Sequence, residues 1–107
     1  MEKRIKEYIC STYGVALADV NELFELGRKN ICETLERLVS AIHAGNAETV
    51  VESAHMLKGT LYNMGLAELG DLARQIELEA KGGALFRAEE RYVQIRKTLG
   101  DVAIFSG

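Results

Sequence analysis

The apolar residues of this chain recur at spacings of three and four along most of its length, and no proline interrupts them. An α-helix turns by about 100° per residue, so that spacing gathers apolar side chains onto one stripe, whereas a strand would need alternation. Alternating β-branched runs bounded by turn pairs are missing, which leaves helices as the expected elements. Residues 2–13 set Ile5 and Ile9 one turn apart among charges and predict a short amphipathic helix ending near Gly14.

Asp19, followed three residues later by Glu22, reads as a capping box that opens a long helix over about 19–43. Its stripe is Val20, Leu23, Phe24, Ile31, Leu35, Leu38, Val39 and Ile42, and Gly45 is its expected left-handed C-cap. Asn46 then caps a third helix carrying Val50, Ala54, Leu57, Leu61 and Met64, which Gly65 ends. A fourth, over about 67–80, uses Leu69, Leu72, Ala73 and Ile76. After Gly82 and Gly83 a fifth is expected over about 84–99, with Leu85, Tyr92, Ile95 and Leu99 on its apolar side.

Four amphipathic helices with short connections bury their stripes most simply as an all-α, antiparallel up-and-down four-helix bundle, with the short N-terminal helix over one end. At 107 residues and 48% hydrophobic content, one core and one domain are expected over 1–107: the bundle over about 19–99 and a short tail over 100–107.

Thirteen Lys and Arg against sixteen Asp and Glu, interspersed along the chain, offer no basic face for a phosphate backbone, so nucleic acid is not an expected partner. MEKRIKEYIC has no secretory apolar region, and no run approaches the roughly 20 apolar residues that span a bilayer. The expectation is a soluble, cytoplasmic monomer without a membrane partner. Cys10 and Cys32 are too few for a disulfide framework and, with two histidines in different settings, form no metal-ligand set.

One stretch does not fit a purely structural helix. AHMLKGTLYNMG, residues 54–65, holds a histidine, a lysine three residues on and a mid-helix glycine that costs roughly 1 kcal/mol relative to alanine. With Val50 at zero on a helical wheel, the core stripe lies within about 40°, Lys58 at about 80°, Tyr62 at about 120°, His55 at about 140° and Gly59 at about 180°. His55 therefore points away from the core, Gly59 keeps the surface beside it open, and Lys58 sets a cation within reach. These residues suit phosphoryl transfer: a neutral imidazole is a nucleophile near neutral pH, and an ammonium offsets charge on phosphoryl oxygens. An exposed site implies that a partner supplies the other half. His43, at a helix end and without that lysine and glycine, reads as a surface residue suited to the helix dipole.

The run AHMLKGTLYNMGLAELGDLARQIE resembles the signature of the histidine-containing phosphotransfer (HPt) domain, H-x-L-K-G with a further glycine ten residues after the histidine. Here these are His55, Leu57, Lys58, Gly59 and Gly65, and AIHAGNAETVVESAH looks like the turn that precedes the phosphorylated helix. The resemblance implies a phosphocarrier that accepts a phosphoryl group from the aspartyl phosphate of a receiver domain and hands it to a response regulator or returns it. His55 Nε2 would be phosphorylated, Lys58 would steady the phosphate, and Gly59 would admit the receiver. Receiver domains of response regulators or a hybrid histidine kinase would be the partners; Mg²⁺ would belong to the receiver, with no cofactor here. Family members often carry Gln or Glu twenty-two positions after the histidine, bonding the ring; here that residue is Glu77. Many have a small residue where this chain has Tyr62, and Thr60 and Leu61 are also bulkier than usual. Val51, Met56 and Tyr62 are the expected docking residues around His55.

Two other functions compete. A helical adaptor or inhibitor could dock on a receiver or histidine kinase without phosphotransfer, but it has no evident use for Lys58 and Gly59 beside a histidine. A kinase fragment would need a nucleotide-binding loop, and no glycine-rich or Walker-type run is present.

Overall fold

The computed structural model describes residues 2–100, the side chain of Leu17 excepted. Among these residues there are five helices and no strand: α1 (Glu2–Tyr13), α2 (Leu17–Ala44), α3 (Ala47–Asn63), α4 (Ala67–Lys81) and α5 (Ala88–Gly100). Of the tail expected over 100–107, Gly100 is instead the last residue of α5, and residues 101–107 lie outside the described residues. No helix among the described residues is long and apolar enough to cross a membrane.

Contacts between helices form a ring: α2 packs on α3, α3 on α4, α4 on α5 and α5 on α2, with α1 laid against α2. Phe24, Ile31, Leu35, Leu38, Val50, Leu57, Leu61, Ile76, Ile95 and Leu99 are almost wholly buried and occupy the stripes that helical spacing assigns them. At 28 residues α2 spans about 42 Å, against about 26 Å for the 17-residue α3. Its N-terminal part therefore runs past α3, and α1 covers it with the buried Ile5 and Ile9, while the Lys6 ammonium lies 5.0 Å from the centre of the Phe24 ring.

Leu23, expected on the stripe, is 40% exposed, whereas Ala41 on the same side of the helical wheel is 5% exposed. Periodicity specifies direction but not coverage. Ala41 sits in the half of α2 from which α3 returns; Leu23 sits where fewer helices flank it.

The helix ends explain two further departures. Asp19 does not cap α2: the N-cap is Ala16, whose side chain makes no cap hydrogen bond, and Ala16 O already accepts from Asp19 N at 3.0 Å. Asp19 lies instead in the first turn, where a carboxylate favours the positive end of the helix dipole. At the other end of the chain, α5 begins at Ala88, four residues later than expected. Gly83 N bonds to Ala80 O and Ala84 N to Glu79 O, a Schellman ending that ties residue 84 to the end of α4. Leu85 thus falls in the connection, half-buried against the core.

Gly45 and Gly65 close α2 and α3 the same way, at φ 68° and 78°. Asn46 caps α3 by accepting from Thr49 N at 3.2 Å. Gly65 is doubly constrained, since an added Cβ would stand 2.6 Å from the Tyr8 ring. We expect Gly65→Ala to destabilise the chain by more than the roughly 1–2 kcal/mol of a left-handed alanine, with Tyr8→Ala in the same chain recovering the steric excess, as measured by urea unfolding.

Candidate functional site

Val50, Ala54, Leu57 and Leu61 are fully buried and set the rotation of α3. With that face committed to the core, the next position around the helix from Ala54 is pushed outward, and the His55 side chain is 64% exposed. Lys58, at the edge of the stripe, is drawn in to 22%. On α4, Leu69, Ala73, Ile76 and Ala80 face the core, and Glu77 beside Ile76 turns toward α3 with only 5% of its side chain exposed.

A buried carboxylate must be paired, and Glu77 is. Its Oε2 lies 2.9 Å from His55 Nδ1, its Oε1 accepts from Lys58 Nζ at 2.8 Å, and Lys81 Nζ stands 3.4 Å from Oε2. Burial pushes the Glu77 carboxyl up, but hydrogen bonds from Lys58 and His55, the Lys58 charge and Lys81 outweigh it and hold the group below its ordinary 4.5. Glu77 is therefore ionised near neutral pH, and a carboxylate can only accept, so the ring proton sits on Nδ1. In the neutral imidazole that leaves the Nε2 lone pair free, and Nε2 is the nitrogen directed away from Glu77.

His43 makes the opposite arrangement. It is exposed in the last turn of α2, and its Nε2 lies 2.9 Å from Glu89 Oε1 on α5, so the carboxylate engages the outer nitrogen.

Gly59 has no positive φ, and an added Cβ would meet nothing within 4 Å. Among the described residues no contact explains that glycine. Gly27 and Gly70 differ, because a Cβ there would strike Met64 and Tyr62 at 2.5 Å. Tyr62 lies over Gly70, and its hydroxyl donates to Asp71 Oδ1 at 2.5 Å, the main cause of the raised Tyr62 pKa. The ring thus rests along α4.

The structure brings His55, Lys58 and Glu77 into contact, with Gly59 beside them. Met56 is 43% exposed on the side of α3 toward α2, with its Sδ 3.8 Å from Arg37 Nη1. Val51 is half-buried against the core and offers only an edge. Sequence reading missed three participants: Lys81 on Glu77, and Gly70 and Asp71 under Tyr62. The i, i+4 spacing from Glu77 to Lys81 was a readable signal for the first; the pairing across helices that seats Tyr62 had none.

Glu77→Gln keeps the shape of the side chain and removes its charge. A carboxyl held below its unfolded value stabilises the fold above that value, and the contribution is lost as pH falls through the lower, folded one. The stability difference between the unaltered chain and Glu77→Gln is thus expected to be fully present above pH 4.5 and to shrink steadily below it, in denaturation series at stepped pH.

A family model for the Hpt domain matches residues 22–103, well over half of the chain. No similar curated protein and no similar solved structure was found. Hpt domains are phosphocarriers rather than kinases; they act in histidine-phosphorelay signalling and interact with receiver domains and kinases. With the family match spanning α3, α4 and the histidine-centred site between them, the chain belongs to the Hpt domain family.

Proposed function

We propose that the chain is a phosphocarrier of a multi-step two-component relay. It takes a phosphoryl group from the aspartyl phosphate of a receiver domain onto His55 Nε2 and passes it to a response regulator, or back. The observation that carries the reading is the His55 ring itself: exposed, held through Nδ1 by the buried Glu77, and bordered by the open surface at Gly59.

In this reading Glu77 orients the ring and stabilises the cation that forms on it, as the carboxylate of a catalytic triad does. Lys58, one turn beyond His55, offsets charge on the phosphoryl oxygens. Gly59 leaves room for the receiver loop, which brings Mg²⁺ and the rest of the catalytic machinery. Val51, Met56 and Tyr62 border the docking surface, with Tyr62 lying flat enough along α4 to serve as its edge. Docking of a carrier that must release each partner calls for a small interface, below about 1,200 Å².

The finer architecture belongs to the same proposal: a single domain over 1–107, built as an antiparallel up-and-down four-helix bundle with α1 as an added cover, acting as a monomer in the cytoplasm. The closed ring of helix contacts and the short connections support the bundle.

Mixed with phosphorylated receivers, the chain is expected to gain acid-labile, base-stable phosphate. His55→Gln abolishes it, and His43→Gln leaves it intact. Retention of label in His55→Gln and its loss in His43→Gln would reverse the assignment, while receiver binding with no label at all would return the adaptor reading.

Gly59 separates stability from function. Gly59→Ala is expected to raise fold stability by up to about 1 kcal/mol, since a helix glycine is replaced in open space. Gly59→Gln should slow transfer by about tenfold by blocking the partner, as read from phosphoryl exchange kinetics. Charges at Val51 or Met56 should slow transfer without lowering the melting temperature by more than a few degrees.

A further inference from the structure

We propose that Lys81 is a positioning residue that takes over Glu77 when Lys58 turns to the phosphoryl group. The proposal rests on the phosphocarrier reading above and adds a member to its machinery.

Glu77 is nearly wholly buried and engaged by three groups that are not equivalent. Lys58 is largely drawn in and bonds Oε1 at 2.8 Å, whereas Lys81 is 57% exposed and stands 3.4 Å from Oε2, the oxygen already bonded by His55. Lys81 lies one turn beyond Glu77 on the same helix, so the spacing between them does not depend on how α3 and α4 sit. It is a loose contact with room to tighten.

Phosphorylation redistributes charge around this carboxylate. The Nε2 lone pair forms the N–P bond as the P–O bond to the partner's aspartate breaks, and that aspartate leaves as a carboxylate with the bonding pair. Nδ1 keeps its proton, so the ring becomes cationic and stays bonded to Glu77. A doubly negative phosphoryl group now sits on the outer nitrogen, within reach of a lysine one turn away.

Lys58 cannot serve both anions at full strength. Its move to the phosphoryl oxygens would strip a buried carboxylate of its ammonium, the kind of loss that is strongly unfavourable when one partner of a buried pair is removed. Lys81 already stands 3.4 Å from Oε2 of the same carboxylate, so a small shift of its ammonium toward Glu77 replaces the lost charge. Its solvent-exposed stem permits that shift, and Oε1 becomes available as Lys58 leaves. Lys81 thereby stabilises the phosphorylated state through Glu77, without touching the phosphoryl group.

The test equilibrates the full chain with phosphoramidate and ammonium at a fixed ratio, so that the phosphoryl group passes reversibly between ammonia and His55. Phosphorus NMR reads the fraction phosphorylated in the unaltered chain, Lys81→Gln, Lys58→Gln and the double variant, with His55→Gln marking the site and melting curves confirming that each variant folds. Lys81→Gln is expected to lower the equilibrium constant on the order of threefold to tenfold, as a partly exposed ion pair allows. Lys81→Arg should recover most of that loss. In the Lys58→Gln background the Lys81 effect should vanish, because no ammonium then has to leave Glu77.

An equal loss in both backgrounds would mean that Lys81 meets the phosphoryl group directly, and no loss in either would make it a solvated charge; each result overturns the proposal alone. Absence of phosphate from His55 in the unaltered chain overturns the phosphocarrier reading and the proposal with it.

Discussion

The buried carboxylate of Glu77 is the interaction around which the rest is arranged. An ionised side chain with 5% exposure is stable only where donors converge on it, and here they come from two helices: His55 and Lys58 from α3, Lys81 from α4 itself. That requirement ties the rotation of α3 to that of α4, because a change in either would leave a charge unpaired in a dry interface. The apolar stripes alone would tolerate some sliding, since leucine meeting alanine and isoleucine is not selective. The polar contact is. It also gives the site a rigid base: the ring of an exposed histidine would otherwise rotate freely, and its bond to a buried and immobile carboxylate turns exposure into presentation.

Two helical glycines show how the same residue serves inward and outward needs. Gly70 is filled by the Tyr62 ring, so the helix propensity lost on α4 is offset by packing and by the hydroxyl bond to Asp71. Among the described residues Gly59 has nothing over it, and none of them offsets its loss of propensity. In the phosphocarrier reading proposed above, that unfavourable residue is the opening through which a partner approaches. The Tyr62 arrangement bears on the same surface, because a large ring two turns after His55 is accommodated by lying along α4, where a glycine makes space for it.

Much of this was legible in the sequence. The 3.6-residue period located α1 to α4 to within two residues at each end, and the wheel placed His55 outside and Lys58 at the edge without reference to any partner helix. The misses share a physical cause: they depend on what lies across from a residue. Leu23 has the right azimuth but too little beside it, Leu85 has the right character but follows a Schellman turn that holds residue 84, and Asp19 has capping chemistry in a helix that had already begun. The bond between Glu77 and His55 followed from the family resemblance rather than from periodicity, since an isolated glutamate on a helix gives no sign of how deeply it will be buried.

The chain contains its own comparison for how a carboxylate holds a histidine ring. His43 and His55 each lie 2.9 Å from a glutamate oxygen across a helix interface, so proximity of a carboxylate does not distinguish them. Burial and the nitrogen engaged do. Glu89 is as exposed as His43, 60% each, and such a surface pair is weak, screened and free to exchange partners, so it cannot hold one tautomer. It also occupies Nε2, the outer nitrogen. Glu77 is buried while His55 is not, so the carboxylate is immobile, its bond to Nδ1 persists, and the free lone pair of the neutral ring is on the side that solvent and a partner can reach. The asymmetry of burial within the pair, with the acceptor inside and the ring outside, is what holds the His55 ring in one orientation with Nε2 open, while the outer nitrogen of His43 is engaged.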